Sequence, residues 1–403
     1  MTTLYEELLW RGFVNQHTFS SPDEVNQPRT FYWGVDPSAD SMTIGNLAPA
    51  MMIRHFIDHG HTAILLVGGA TGMIGDPDGK KQERDLKTVE EITANKVALA
   101  AQYQQIFAGK DFVVVDNYDW FKTISYLDFL RDVGKHAPMT QMLDPEFVQS
   151  RIGESGEGIS YAEFSYSLIQ GYDFLHLYRE HDATLQVGGS DQWGNMISGT
   201  QLIRRIAGGE AHIWSTPLVI NKQTGVKFGK SEGGAVWLDA AKTSPYKFYQ
   251  FWLNVDDETG QDLIKMYTLL DKTTVESIIA RHADNKAARV LQQTLAREVT
   301  KLVHGPERLA SVERVTNVLF GTNDIHGLQE EDISALADEI PTVAPQSLVG
   351  ALVESGVCTS NGDAKRQIAG GAVSLNGQKI IDDRDVVAPS LIKKGKNAFI
   401  LVR

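Results

Sequence analysis

The stretch Tyr32-Trp33-Gly34-Val35-Asp36-Pro37-Ser38-Ala39-Asp40-Ser41-Met42-Thr43-Ile44-Gly45-Asn46-Leu47 reads as a strand that runs into a glycine-bearing turn and then a helix. That layout presents backbone N–H groups and the positive end of a helix to a phosphate. Working outward, Thr30 to Val35 and Thr62 to Val67 are short apolar runs ending in Asp-Pro or glycine; Asp111 to Asp116, Thr184 to Val187 and Pro217 to Ile220 resemble them. Between the first two runs, Ala50, Ile53 and Ile57 fall at i, i+3 and i+7, one helical face, before a stop at Gly60. Strand, helix, strand at this spacing predicts parallel crossovers and a Rossmann-like, doubly wound α/β sheet over residues 1–224. Ligands of such sheets bind at the carboxyl ends of the strands, where Asp36 and Gly68-Gly69 fall.

Strand signals disappear from Thr243 to about Leu319, and Ala287 to Val303 has helical periodicity without proline, so an all-helical domain is expected within residues 225–320. The polar, acidic stretch Gly321 to Gln346, with Pro341 and Pro345 near its end, reads as a linker. A small α+β domain is expected over residues 347–403: helices Leu348 to Ser355 and Asp363 to Ala369, then strands Ala372 to Leu375 and Gln378 to Ile381 around Asn376-Gly377, a strong hairpin signal.

The chain of 403 residues is too long for one core. Its single cysteine, Cys358, excludes a disulfide framework and a cysteine zinc site, and fits a reducing compartment. Met1 to Gln16 carries Glu6 and Glu7 and lacks a long apolar core, unlike a signal peptide, and Thr62 to Gly75 is too short and glycine-rich to span a bilayer, so a cytoplasmic location and no membrane partner are expected. The net charge of −13 argues against general nucleic-acid binding, and no DNA partner is expected. Asn361 to Arg403, however, holds eight Lys/Arg against four Asp, leaving −17 for the rest: a basic module on an acidic body, suited to local contact with RNA.

Other segments carry chemistry. Lys227-Phe228-Gly229-Lys230-Ser231 lies among Gly225, Gly229, Gly233 and Gly234, a setting for a loop whose lysines neutralise a leaving anion. Gly68 to Arg84 holds five glycines followed by Lys80, Lys81 and Arg84; it lacks the Gly-Lys-Ser/Thr of a P-loop but could line a small-molecule pocket and lend cations. Tyr166, Gln170 and Asp173 at i, i+4 and i+7 share a helical face, more natural for a pocket gripping a polar ligand than for a core stripe. Gln186 to Asn195 leaves a strand through Gly188-Gly189 and displays Asp191 and Gln192.

With these motifs in this order, the chain resembles the bacterial-type tyrosyl-tRNA synthetases, a class I aminoacyl-tRNA synthetase family, over essentially its whole length. The His-Ile-Gly-His signature stands here as Thr43-Ile44-Gly45-Asn46, and Lys-Met-Ser-Lys-Ser as Lys227-Phe228-Gly229-Lys230-Ser231. The C-terminal pattern, from Lys365-Arg366-Gln367-Ile368 to Asn376-Gly377, is similar to the RNA-binding module of ribosomal small-subunit protein four. The resemblance implies a homodimer, with contact expected over Phe121 to Gln149, that activates L-tyrosine with ATP, accompanied by Mg2+ but without a protein-ligated metal, and passes tyrosyl to tRNA(Tyr). It implies that Tyr32 and Asp173 hold the phenolic hydroxyl, that Tyr166, Gln170 and Asp76 hold the ammonium, and that Gln192, with Gln170, orients the carboxylate. Asp36, Gly45, Asn46, Gly189 and Asp191 would line the adenosine site, with Lys230 also on the ATP. Ser38 and Thr43 would face the triphosphate, and Lys80, Arg84, Lys227 and Lys230 would neutralise the departing pyrophosphate.

One departure stands out. Threonine at position 43, in place of the signature histidine, can donate one neutral hydrogen bond but carries no charge. Losing one transition-state donor costs on the order of 10²-fold in rate. If this position limits the reaction, Thr43→His raises the rate. Two rival readings compete with it: a catalytically weak paralogue that binds RNA as a regulator, favoured by Thr43, and the tryptophan enzyme, disfavoured by Asp173 paired with Tyr32.

Overall fold

The computed structural model describes residues 2–77, 87–143, 146–152, 158–220, 225, 227–231, 234–321 and 325–403, the side chains of 141, 146, 147, 230 and 231 excepted. The chain divides into two compact units, Met1–Thr243 with Asn254–Leu295, and Ser244–Leu253 with Ala296–Arg403. These cut the chain differently from the expected domain boundaries: helices Asp257–Tyr267 and Lys272–Asp284 belong with the first unit.

The first unit is built on six strands, β1 Gln16–His17, β2 Thr30–Val35, β3 Thr62–Val67, β4 Phe112–Asp116, β5 Ala183–Gly189 and β6 His212–Thr216, in the order β1-β6-β5-β2-β3-β4. All neighbours are parallel except β1 against β6. The chain builds outward from β2 to β4, then returns to lay β5 and β6 on the other side, so the strand order reverses between β2 and β5. A ligand crevice is expected outside the carboxyl ends of these two strands. The expected strand Pro217 to Ile220 does not form. The ladder stops at Thr216 because proline has no N–H to extend it, and only Ile220 makes an isolated bridge, to Lys227.

β3 reads Thr-Ala-Ile-Leu-Leu-Val, and all but its first residue are buried, as a parallel strand covered on both faces requires. The crossover helix Ile44–Asp58 is buried around most of its circumference, more than a single apolar stripe predicts. Helix Tyr161–His181 starts at Ser160, whose hydroxyl accepts from the Glu163 amide, and packs tightly on helix Trp193–Leu202. A Cβ on Gly171 would lie 2.4 Å from Ser198 Oγ, and one on Gly199 would lie 2.8 Å from Phe174 Cβ. These two glycines let the helices approach closely enough to seat Tyr166 and Asp173 against the sheet.

Helix Val290–Phe320, which lies in the second unit from Ala296 on, kinks at Gly305, which precedes Pro306. The expected hairpin is present: Val373–Leu375 pairs with Gln378–Ile380, and Asn376 and Gly377 both adopt positive φ, as a type I′ turn needs. Those strands join Ser390–Lys394, Ala398–Val402 and Thr342–Val343 in a five-stranded mixed sheet. The stretch expected as a linker instead carries helix Glu330–Ala337. Its Ile333 and Leu336 share a core with Val315, Val318 and Leu319 before it and with Leu391, Phe399 and Leu401 after it. Ile333 and Leu336 at i, i+3, with Ala337 beside them, give a docking face to a helix that begins with three acidic residues.

Asp332 fixes that helix. It is fully buried; Arg314 pairs with it through two N–H groups at 2.7 and 2.9 Å, and Ser311 and the Gln329 amide donate as well. Burial alone would raise its pKa, but these donors hold the carboxyl below its ordinary value. Asp332→Ala strands the donors and is expected to cost the second unit about 1–3 kcal/mol in urea unfolding. A loss within a few tenths of a kcal/mol would rule out this anchoring role.

Candidate functional site

A cavity of about 370 Å³ opens at the β2–β5 crevice, within the size range of small-molecule sites. Of the residues expected in the site, Tyr32, Asp36, Ser38, Thr43, Gly45, Asn46, Asp76, Tyr166, Gln170, Asp173, Gly189, Asp191, Gln192 and Lys227 all line it. Lys80 and Arg84 lie outside the described residues, as does the side chain of Lys230.

The cavity holds a buried polar cluster. Tyr32 projects from β2, and Asp173 lies on the same face of its helix as Tyr166. The Asp173 carboxylate accepts from Asn117 Nδ2 at 3.0 Å and Trp120 Nε1 at 2.9 Å. Burial nevertheless pushes its pKa up to about 8, helped by the charges of Asp36 and Asp116 and opposed by those two N–H donors. Tyr32 is 1% exposed, and burial first, then the Asp173 charge, lifts its phenol well above the ordinary range. Its hydroxyl has no hydrogen-bond partner among the described residues, and neither does Gln186 Oε1 beside it on β5. Buried polar atoms left unpaired are costly unless a ligand completes them.

Asp36, at the end of β2, is held by Tyr166, whose hydroxyl donates to Oδ2 at 2.8 Å, and by Thr71, whose hydroxyl donates to Oδ1 at 2.6 Å. Asn117 Nδ2 also donates to Thr71 Oγ1, so one hydrogen-bonded chain links Asp36 to Asp173. Gly68 and Gly69 make room for it: a Cβ would stand 2.3 Å from Asp36 Oδ1 at the first and 2.2 Å from Asp116 Oδ1 at the second. On the opposite wall, Gln192 Nε2 donates to Asp76 Oδ2 at 2.7 Å.

At the mouth the two signature segments meet. Phe228 N–H donates to Val219 O at 2.8 Å and Val236 N–H to Gly229 O at 3.0 Å. Ile44 N–H donates in turn to Val236 O, and Leu238 N–H to Met42 O. Gly229, at φ +97°, packs so closely that a Cβ would lie 2.7 Å from Ile44 Cγ1. Lys227 pairs loosely with Asp191, at 3.4 Å and half exposed, a contact weak enough to release toward an anion.

Sequence reasoning gave no role to Thr71 and Gln186, which also line the cavity, or to Asn117, Trp120 and Tyr267. Tyr267 donates its hydroxyl to Ile44 O at 3.1 Å and sets its ring beside Phe228, touching both signature segments. For Asn117 and Trp120 a signal existed: Asp116-Asn117-Tyr118-Asp119-Trp120 follows the carboxyl end of a parallel strand.

The sequence profile described as tRNA synthetases class I (W and Y) matches residues 24–321, and that of the Tyrosine--tRNA ligase SYY-like C-terminal domain matches residues 332–403. The chain belongs to the class I tRNA synthetases. Among other members of this family, it is 41% identical to the tyrosine–tRNA ligase of Flavobacterium psychrophilum over 100% of this chain and 97% of that protein. It is equally 41% identical to the one from Cytophaga hutchinsonii, over 100% of both chains. The structure is similar to that of a C-terminally truncated mitochondrial tyrosyl-tRNA synthetase from Aspergillus nidulans, with a TM-score of 0.72 and 27% identity over 79% of this chain and 95% of that one. A tryptophanyl-tRNA synthetase from Encephalitozoon cuniculi, bound to tryptophan, shares the fold at 12% identity and a TM-score of 0.55, over 82% of this chain and 89% of that one. Fold alone therefore does not separate the two amino acids.

The raised pKa of Asp173 has a thermodynamic consequence. The folded chain keeps this proton where the unfolded chain, with a pKa near 3.8, has released it. Stability from this group is fully present below that pH and is lost as the pH rises toward about 8. Asp173→Asn, which mimics the protonated form, is expected to flatten the fall in melting temperature across this window in ligand-free protein. An unchanged slope would show that Asp173 is ionised throughout.

Proposed function

We propose that the chain is a tyrosine–tRNA ligase, joining L-tyrosine to ATP to form tyrosyl-adenylate and pyrophosphate, then passing the tyrosyl group to the 3′-terminal ribose of tRNA(Tyr). The observation that carries the choice of amino acid is the buried pair Tyr32 and Asp173, the tyrosine hydroxyl free of any described partner. A phenol completes that pair, one group donating and the other accepting. Phenylalanine leaves the Tyr32 hydroxyl without a partner and brings no donor to Asp173, and an indole has no hydroxyl to offer.

The chemistry is alignment and charge placement. A tyrosine carboxylate oxygen attacks the α-phosphorus, and the bond to the β-phosphate oxygen breaks as pyrophosphate leaves. No side chain need become covalently bound. In this reading Tyr166, Gln170 and Asp76, which line the cavity, hold the amino end, and Gln192, bonded to Asp76, takes the carboxylate. Asp36, Gly45, Gly189 and Asp191 border the adenosine, while Ser38 stands exposed at the triphosphate end with Lys227, joined in this reading by Lys80, Arg84 and Lys230. Mg2+ enters with ATP as its counter-ion. The basic C-terminal module of the second unit would meet the tRNA.

Tyrosine-dependent exchange of pyrophosphate into ATP tests this reading. Exchange with tryptophan instead would reject the pocket assignment, and none with any amino acid would reject the enzyme. Tyr32→Phe is expected to lower kcat/KM for tyrosine about 10- to 100-fold, the effect of stranding a buried partner, and to leave phenylalanine less affected.

A homodimer fits the surface. Tyr126, Leu127, Met139 and Tyr161 are each more than half exposed in the segment where contact is expected and beside it, an apolar concentration unusual for a free surface. Leu127→Asp is expected to halve the mass measured by light scattering. A parent protein that is monomeric at every concentration would reject the dimer.

A further inference from the structure

Thr43 lies at the cavity mouth where the signature histidine would stand, but its hydroxyl is already committed. Thr43 Oγ1 donates to Asn46 Oδ1 at 3.0 Å, and the Thr43 backbone N–H donates to the same oxygen, also at 3.0 Å. With two donors on its oxygen, the Asn46 carboxamide has a fixed orientation and keeps its Nδ2 group for another acceptor. Asn46 lines the cavity and is half-buried.

The threonine is itself immobilised. Its backbone has the extended geometry of a residue just before a helix, φ −107° and ψ 171°, and bridges to Trp237. The hydrogen bonds of Ile44 to Val236 and of Leu238 to Met42 flank it. Its Oγ1 also sits above Gly45, 3.4 Å from where a Cβ would be. A side chain at this place with a single hydroxyl, held on both sides and spent on a neighbour, cannot also donate that hydrogen to a phosphate.

We propose that Thr43 is a positioning residue that aims the Nδ2 group of Asn46 into the nucleotide site, so that the two side chains act as one unit. The inference rests on the ligase reading and revises the expectation that Thr43 itself is a weakened phosphate donor. Histidine at 43 would lose the hydroxyl that orients Asn46, so Thr43→His lowers the rate rather than restoring it.

The test is a double-mutant cycle in tyrosine-dependent pyrophosphate exchange, with melting temperatures confirming that each variant is folded. Thr43→Val is expected to lower kcat/KM for ATP about 3- to 10-fold with the KM for tyrosine unchanged, and Thr43→Ser to restore it. In the Asn46→Ala background, Thr43→Val is expected to change the rate by less than about twofold, because the group it aims is gone. Full additivity of the two substitutions in an active parent, or a faster Thr43→His enzyme, would overturn the inference alone. A parent that exchanges with no amino acid would overturn the inference together with the ligase reading.

Discussion

A carboxyl group buried at the strand-order reversal sets the terms for the rest of the site. Asp173 is removed from water, so every polar contact it makes must come from protein or from ligand. Asn117 and Trp120 supply two donors, which ties the segment after β4 to the helix that carries Asp173. Asn117 is shared with Thr71, and Thr71 with Asp36, so the acidic group at the end of β2 is placed by the same chain of bonds. Three acidic side chains around one crevice would repel one another without those N–H and O–H groups. The glycine pair 68–69 is the steric condition for bringing them so near.

The sheet was legible because its parallel strands are short, continuous apolar runs, and four of the five expected runs correspond to strands. Pro217 to Ile220 had the right hydrophobicity but began with a residue that cannot extend a ladder. The C-terminal hairpin was legible because Asn-Gly accepts two successive positive φ angles that other pairs resist. The acidic stretch before it misled. Composition suggested a linker, while Ile333, Leu336 and a buried Asp332 dock a short helix through contacts far apart in sequence.

Of the site, Asp36 at a strand end and Tyr166, Gln170 and Asp173 on one helical face were legible, because position and period single them out. The residues behind them were not. Asn117, Thr71 and Tyr267 act through bonds to other side chains or to backbone, and only the folded arrangement shows those bonds. Thr43 marks the boundary between the two cases. Its place in the motif was evident, whereas the destination of its hydroxyl was a matter of local geometry.

Gly229 stands between the two lysines of the mouth and contributes no chemistry of its own. It is fixed twice, by the nearness of Ile44 and by a backbone angle that side chains rarely tolerate. A smaller residue at 44 would relieve the first constraint and leave the second. The spacing of Lys227 and Lys230 along the chain therefore has an inert ruler. Replacing either lysine would leave that distance unchanged, whereas a side chain at Gly229 would alter it.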